Sequence, residues 1–452
     1  MALHIIILAA GDGTRMKSSL PKVLHTVGGK PMIWHVLQTA LALDPEAVHV
    51  VYNPEAVEVM DGCRSFDVDW VGQSERLGTG HAVQQAMPRV PADARVLVLY
   101  GDIPLVRAET LQRLLERPEA LGVLTMKLPD PTGYGRIVRD VGGAVTGIVE
   151  EKDARPEQRL IDEVNTGIVV ADASRLEGWL ERLETANSQG EYYLTDVFGQ
   201  ACAERVPIGR VLADNAGELM GANDRVQMAE LERRYQLAEA KRLMLAGVRI
   251  ADPGRIDIRG NVQVARDVSI DINVVLEGDV ELGEGVAIGP GCVLRDCSLA
   301  AGTQVYPHSV LEGVKTHGAC SIGPFARLRP GTELGEGARV GNFVEVKKAR
   351  LGNHTKASHL TYLGDAEIGD GVNIGAGTIT CNYDGVNKHL TIIEDDVFIG
   401  SDTQLVAPVT VGKGADIGAG STITRDVPAG GLTLSRSKQV TVPHWKRPVK
   451  KD

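Results

Sequence analysis

Residues 274–294 read VVLEGDVELGEGVAIGPGCVL, and their spacing decides the fold of the second half of the chain. Val274, Val280, Val286 and Cys292 recur at every sixth position, and Leu276, Leu282, Ile288 and Leu294 stand two places after each. The same step reaches back through Val268, Val262 and Ile256 to Ile250 and forward to Val310. It resumes after a frame shift at Ala326, Thr332, Ala338 and Val344, and again at Thr391, Val397, Thr403, Val409, Ala415 and Ser421. Glycine turns follow in LGEG, IGPG, IGDG, IGAG and VGKG. A period of six fits neither a helix nor a long alternating strand. A short strand plus a tight turn, repeated, does fit it. The expected structure is a parallel β-helix with small and aliphatic residues stacked inside each corner, its handedness left open by the period. The stretch CNYDGVNKHL at 381–390 breaks the frame and is expected to project as a loop, where repeat proteins often bind ligands.

Residues 1 to about 222 follow a different grammar. HIIILAA, AVHVVY, RVLVLYGD and LGVLTMKL are apolar runs of the kind buried parallel strands show, with helical stretches at 31–43 and 79–87 between them. This predicts an α/β sheet domain, whose ligands sit beyond the carboxyl ends of strands. The first such end, LAAGDG, is a glycine-rich turn that leaves backbone N–H groups to face an anion. It is neither a dinucleotide fingerprint, since Met16 stands where the third glycine belongs, nor a P-loop. Between the halves, Met228, Leu231, Tyr235, Ala238 and Leu245 step by helical intervals, with Asn223 or Asp224 able to cap the start and Gly247 the end. The expected organisation is a sheet domain at 1–222, a linking helix at 223–247 and the β-helix with its tail at 248–452.

Composition narrows the classes of function. A net charge of −11 argues against a general binder of nucleic acid or membrane surfaces, so an anionic substrate must be met by local basic groups. The N-terminal apolar run is short and lacks a basic leader, which suits neither a signal peptide nor a membrane span. The six cysteines form no C-x-x-C pair, and a reducing cytosol is expected.

Taken singly, the chemical signals are weak. Arg15 and Lys22 follow the glycine turn, where a triphosphate would extend. Asp102 closes a strand, a position suited to Mg2+, which takes one or two protein ligands besides phosphate oxygens. Gln73, Gly78 and Thr79 can read a base edge, and Gly135, Glu150 and Asn165 can meet sugar hydroxyls; each suits a turn or cap as well. In the second half, Arg327, Arg329, Lys347, Lys348 and Arg350 gather near His359 and Tyr362. Arg329 and Lys347, eighteen apart, should share a face one coil apart and hold a phosphate, with His359 as a general base; a solvated basic face is the plain alternative. A zinc site built from His317, His354 and His359 lacks matching coil positions.

The order LAAGDGTRM, LPKVLH, YGD, GYGRI, NTGI, GEYYLTD, long helix, hexapeptide solenoid and WKRPVKK is informative as a whole. Over essentially its full length it resembles the bacterial bifunctional N-acetylglucosamine-1-phosphate uridylyltransferase/glucosamine-1-phosphate acetyltransferase family. The resemblance implies a Rossmann-like mixed-sheet domain that makes UDP-N-acetylglucosamine from UTP and the sugar phosphate. It also implies a left-handed parallel β-helix, trimeric, that acetylates glucosamine 1-phosphate with acetyl-CoA. It places nucleotide and sugar contacts on Leu8, Ala9, Ala10, Gly11, Arg15, Lys22, Gln73, Gly78, Thr79, Tyr100, Gly101, Asp102, Gly135, Glu150, Asn165 and Asn223, with Asp102 and Asn223 as Mg2+ ligands. Glucosamine 1-phosphate would meet Arg329, Lys347, Tyr362, Asn373, Asn382 and Tyr383, with His359 as base. Acetyl-CoA would meet Ala376, Ser401, Ala419 and Arg436. No nucleic-acid or membrane partner is implied, and the location would be cytoplasmic. Asp12 stands where the family commonly has Lys, which leaves Arg15 and Lys22 more of the triphosphate charge. Two other readings are a pyrophosphorylase whose solenoid only assembles subunits, and a solenoid that is an inert trimerisation scaffold.

Overall fold

The four apolar runs become strands of one mixed sheet, three of them adjacent, in the computed structural model, which describes residues 1–11, 13–448 and 450. Its strands are β1 (Leu3–Leu8), β2 (Ala47–Tyr52), β3 (Asp69–Gly72), β4 (Arg95–Tyr100), β5 (Leu121–Lys127), β6 (Arg136–Arg139), β7 (Val145–Val149), β8 (Glu163–Asp172) and β9 (Ile208–Leu212). The order across the sheet is β9-β5-β8-β4-β1-β2-β3, with the β6–β7 hairpin attached to β8. Antiparallel pairing is confined to β8 with its neighbours and to the β6–β7 hairpin. Side chains alternate along β1, so Ile5 and Ile7 join one buried layer and Ile6 the other. The first layer holds Ile33, Val36 and Leu37 of helix Met32–Leu41; the second holds Val83 of helix Thr79–Ala86 and Trp179 of helix Ala173–Leu180. Helices on both faces leave the carboxyl edge of β1, β4, β2 and β3 as the place where a ligand can enter.

The chain forms two compact units, residues 1–235 and 236–452. A helix at Arg225–Leu245 starts where the Asp224 carboxylate accepts the N–H groups of Val226 and Gln227, both at 2.9 Å. In the first unit Met228 and Leu231 pack with Met16 and Ala222. In the second, Gln236 is fully buried and both accepts from and donates to the backbone of Ile258, at 2.7 and 2.9 Å. No helix among the described residues is long and apolar enough to cross a membrane.

The second unit is a stack of coils. Ile258, Leu276, Leu294, Leu311, Leu328, Val346 and Leu363 fall into one register column, each with no exposed surface. Each such side chain contributes about 1.5–3 kcal/mol on burial. Thr380 continues the column, and its hydroxyl accepts from the Gly364 N–H at 2.7 Å, so the polar group costs little. Coil length varies. Arg327 pairs with Glu345, eighteen residues on, but Asn342 with His359, seventeen on, and Asn373 with Phe398, twenty-five on. The long step contains the expected loop, closed by a bridge between Tyr383 and Lys388.

Gly341 marks how closely coils approach, because a Cβ there would overlap the Ser358 carbonyl of the next coil. Gly341→Ala should destabilise the second unit by about 1–3 kcal/mol. The check is a lower denaturant midpoint for the second unit's transition beside an unchanged transition of the first.

Candidate functional site

The carboxyl edge of the mixed sheet opens into a cavity of about 460 Å³. Leu8, Ala9, Ala10, Gly11, Lys22, Gln73, Gly78, Thr79, Tyr100, Asp102 and Asn223 line it. The strands explain the convergence. Ala9 donates to the Val51 carbonyl at 2.8 Å and Gly101 to that of Leu8 at 2.9 Å, so the turns after β1 and β4 lie side by side. The N–H groups of Ala10 and Gly11 make no hydrogen bond among the described residues, which leaves them to an anion. Asp12 lies outside the described residues.

Gln73 is 3% exposed, and its amide donates to the Gly78 carbonyl at 3.3 Å. Thr79 accepts from the Leu194 N–H at 3.2 Å and also bonds the Tyr100 hydroxyl, whose pKa burial raises. The central ion pair is Lys22 with Asp102; the same ammonium donates to the Asn223 side-chain oxygen at 2.7 Å. Two oxygens from separate segments thus close on one cation. That donor set is chemically suited to a hard divalent ion.

Arg15 does not face this cavity. The short 3-10 turn Thr14–Met16 carries it to an adjoining cavity of about 260 Å³ that shares Tyr100, Asp102 and Asn223. Gly135, Glu150 and Asn165 form a further cluster, with the Asn165 N–H bonded to the Gly135 carbonyl at 2.8 Å and the glycine against the Glu150 carboxylate. Burial raises the Glu150 pKa, with Asp196 and Asp153 adding to it, while Thr195 donates to the carboxylate at 3.0 Å. Arg76 and Glu191 also line the main cavity. Glu191 falls inside the GEYYLTD stretch, but no spacing marks either residue as a ligand contact.

In the second unit, one corner of the coil stack collects the candidate residues. Val340, Ala357, Ile374, Ile399 and Ile417 share a register column, and two residues after each stand Asn342, His359, Ala376, Ser401 and Ala419. Arg436 donates to the Ala419 carbonyl at 2.9 Å. Beside this corner, the Arg329 N–H bonds the Val346 carbonyl at 2.8 Å, which sets Arg329 next to Lys347 one coil on. Arg329 also pairs with Glu345 at 3.0 Å, whereas Lys347 has no ion-pair partner among the described residues. Lys347 is in register with Gly364, where a Cβ would overlap the Tyr362 hydroxyl and lie 2.8 Å from the Asn382 amide nitrogen. The glycine therefore lets Tyr362 and Asn382 sit over the lysine. Asn382 also donates to Asp365. Asn373 stands three residues before Ala376 on the strand that enters the corner, and Tyr383 is exposed beneath the Lys388 ammonium at 4.5 Å. His317 instead pairs with Glu333 at 3.0 Å, and no group of three or more His, Cys, Asp or Glu arranged to hold a metal occurs among the described residues.

The comparisons agree with this division. A MobA-like NTP transferase domain matches residues 5–138, a GMPPB C-terminal domain residues 258–358, and the six-repeat bacterial transferase hexapeptide residues 390–425. A Bacillus anthracis structure, provisionally assigned as a glucose-1-phosphate thymidylyltransferase, is 20% identical, covering 52% of this chain and 95% of its own, with a TM-score of 0.42. The class is a nucleotidyltransferase joined to a hexapeptide β-helix transferase of the left-handed kind. Bifunctional protein GlmU of Alkalilimnicola ehrlichii is 58% identical over 448 residues, 99% of this chain and 97% of that one. The chain belongs to the bifunctional GlmU family.

Because burial raises the Glu150 pKa, its ionised form costs stability, and that cost grows as pH rises through the folded-state value. Glu150→Gln should raise the first unit's thermal midpoint at about pH 8, and the gain should shrink towards about pH 5. Thermal melts across that range measure it.

Proposed function

We propose that the two residue sets perform two separate reactions, one in each unit. The chain is a bifunctional enzyme of UDP-N-acetylglucosamine synthesis, a precursor of peptidoglycan and lipopolysaccharide. It transfers acetyl from acetyl-CoA to glucosamine 1-phosphate, then uridylyl from UTP to N-acetylglucosamine 1-phosphate. The observation that carries the assignment of residues is grouping within each unit: Lys22, Asp102 and Asn223 in the cavity, and Arg329, Lys347 and Tyr362 on adjacent coils of the strand column that follows the His359 corner. The catalytic boundaries proposed are residues 1–222 and 248–452, with helix 223–247 between, in a homotrimer working in the cytoplasm.

In the first unit, Gln73, Gly78 and Thr79 bind the uracil end of UTP, and Ala10 and Gly11 direct N–H groups at its phosphates. Gly135, Glu150 and Asn165 hold the sugar. The sugar-phosphate oxygen attacks the α-phosphorus while the bond to the β-phosphate oxygen breaks and pyrophosphate leaves, so no protein nucleophile is required. Asp102 and Asn223 would hold Mg2+, which supplies charge stabilisation on the transferring phosphate. Lys22 spans those two oxygens, and with Mg2+ held there its ammonium would be released to meet the triphosphate, while Arg15 approaches from the adjoining cavity.

In the second unit, Arg329 and Lys347 clamp the sugar phosphate, and Tyr362, Asn373, Asn382 and Tyr383 orient the ring. Ala376, Ser401, Ala419 and Arg436 seat CoA along the corner that leads to His359. The substrate amine attacks the acetyl carbonyl, His359 takes the amine proton, the C–S bond breaks, and the thiolate leaves as the CoA thiol once protonated. General-base help of this kind contributes about 10²–10⁴-fold.

His359→Ala should abolish acetyl transfer and spare uridylyl transfer, and Asp102→Asn should do the reverse. Paired assays of CoA thiol release and pyrophosphate release decide this; joint loss in either variant contradicts separate sites. Because Lys22 competes for the same oxygens, Lys22→Met should tighten Mn2+ binding to the nucleotide-free protein while slowing uridylyl transfer, measured by Mn2+ titration and by pyrophosphate release.

A further inference from the structure

We propose that Asn342 is a positioning residue for acetyl transfer, holding His359 in the tautomer that can accept a proton. This rests on His359 being the base, as assigned above. Asn342 and His359 are register partners in adjacent coils, and His359 Nδ1 lies 2.8 Å from the Asn342 side-chain oxygen. An amide oxygen only accepts, so this contact requires the proton on Nδ1 and leaves the lone pair on Nε2.

The backbone fixes both partners at this corner. The Leu360 N–H donates to the Asn342 carbonyl at 3.0 Å, and the Thr361 hydroxyl donates to the His359 carbonyl at 2.7 Å. Phe343 and Leu360, the residues after each partner, both take left-handed φ, 56° and 48°, so the two turns have the same shape and stack. His359 is itself exposed, and without a partner its imidazole would sample several rotamers and both neutral tautomers.

The place of Asn342 in the column is telling. The positions on the other side of His359 are Ala376, Ser401 and Ala419, which are small and leave room along the corner. The column continues past Asn342 to Pro324, which offers no side-chain polar group, so Asn342 is the polar neighbour that holds the ring from that side. A neutral amide also differs from a carboxylate partner in adding no charge to the imidazolium formed during the reaction. The proton taken from the amine stays on the imidazole until the departing thiolate accepts it.

Three variants and one spectroscopic readout test the inference. His359→Ala serves as the control for the underlying reading: if it retains acetyl transfer, the assignment of the base fails and Asn342 has nothing to position. With that control inactive, Asn342→Leu should lower kcat for acetyl transfer about 10- to 100-fold with little change in the KM for glucosamine 1-phosphate, as misplacement of a reacting group does. Uridylyl transfer should be unchanged. Asn342→Asp keeps the acceptor and should restore most of the rate. In wild-type full-length protein, 15N spectra of labelled histidine should show His359 with the proton on Nδ1, and Asn342→Leu should shift it to a mixture of tautomers. An unaltered kcat in Asn342→Leu, an Asn342→Asp variant as slow as Asn342→Leu, or a wild-type proton on Nε2 would each overturn the proposal.

Discussion

Inter-coil backbone pairing is the constraint on which the proposed acetyl-transfer corner depends. A side chain in the β-helix has neighbours one coil away, and the register alone decides which ones. Arg329 reaches Lys347 because their coils are eighteen residues apart at that edge, and His359 reaches Asn342 because theirs are seventeen apart. A slip of one residue in the pairing register would turn the set through the pleat and send alternate side chains to the other face. The aliphatic column through Ile258, Leu276, Leu294, Leu311, Leu328, Val346 and Leu363 resists such a slip, since every member is fully buried. Packing in the interior therefore fixes the chemistry on the surface.

The sheet unit solves a different problem. Its substrates are anions and the chain is acidic, so affinity must come from a few well-placed groups. Parallel strands deliver the glycine turn, Tyr100 and Asp102 to one edge, and the segment ahead of the long helix brings Asn223 across to them. Lys22 satisfies both oxygens in the meantime, which keeps a half-buried carboxylate from standing unpaired.

The β-helix was legible because a period of six has few physical solutions, and the Arg329–Lys347 neighbourhood followed from counting eighteen. Asn342 did not follow, because the coil there is one residue shorter and nothing in the local residue types marks where a coil loses a position. Arg15 illustrates the opposite limit. It stands close to the glycine turn in sequence, yet a single 3-10 turn carries it into the adjoining cavity. Gly135, Glu150 and Asn165 come from a hairpin and an antiparallel strand, and their meeting is a matter of strand order that residue spacing does not encode. Their residue types allowed sugar contacts, but only the resemblance set them together.

A crystal structure of the full chain soaked with glucosamine 1-phosphate tests the central claim most directly. The phosphate is predicted between the Arg329 guanidinium and the Lys347 ammonium, with the sugar amine within hydrogen-bond reach of His359 Nε2. A phosphate bound on another face of the coil stack, or an amine turned away from that nitrogen, would contradict the account.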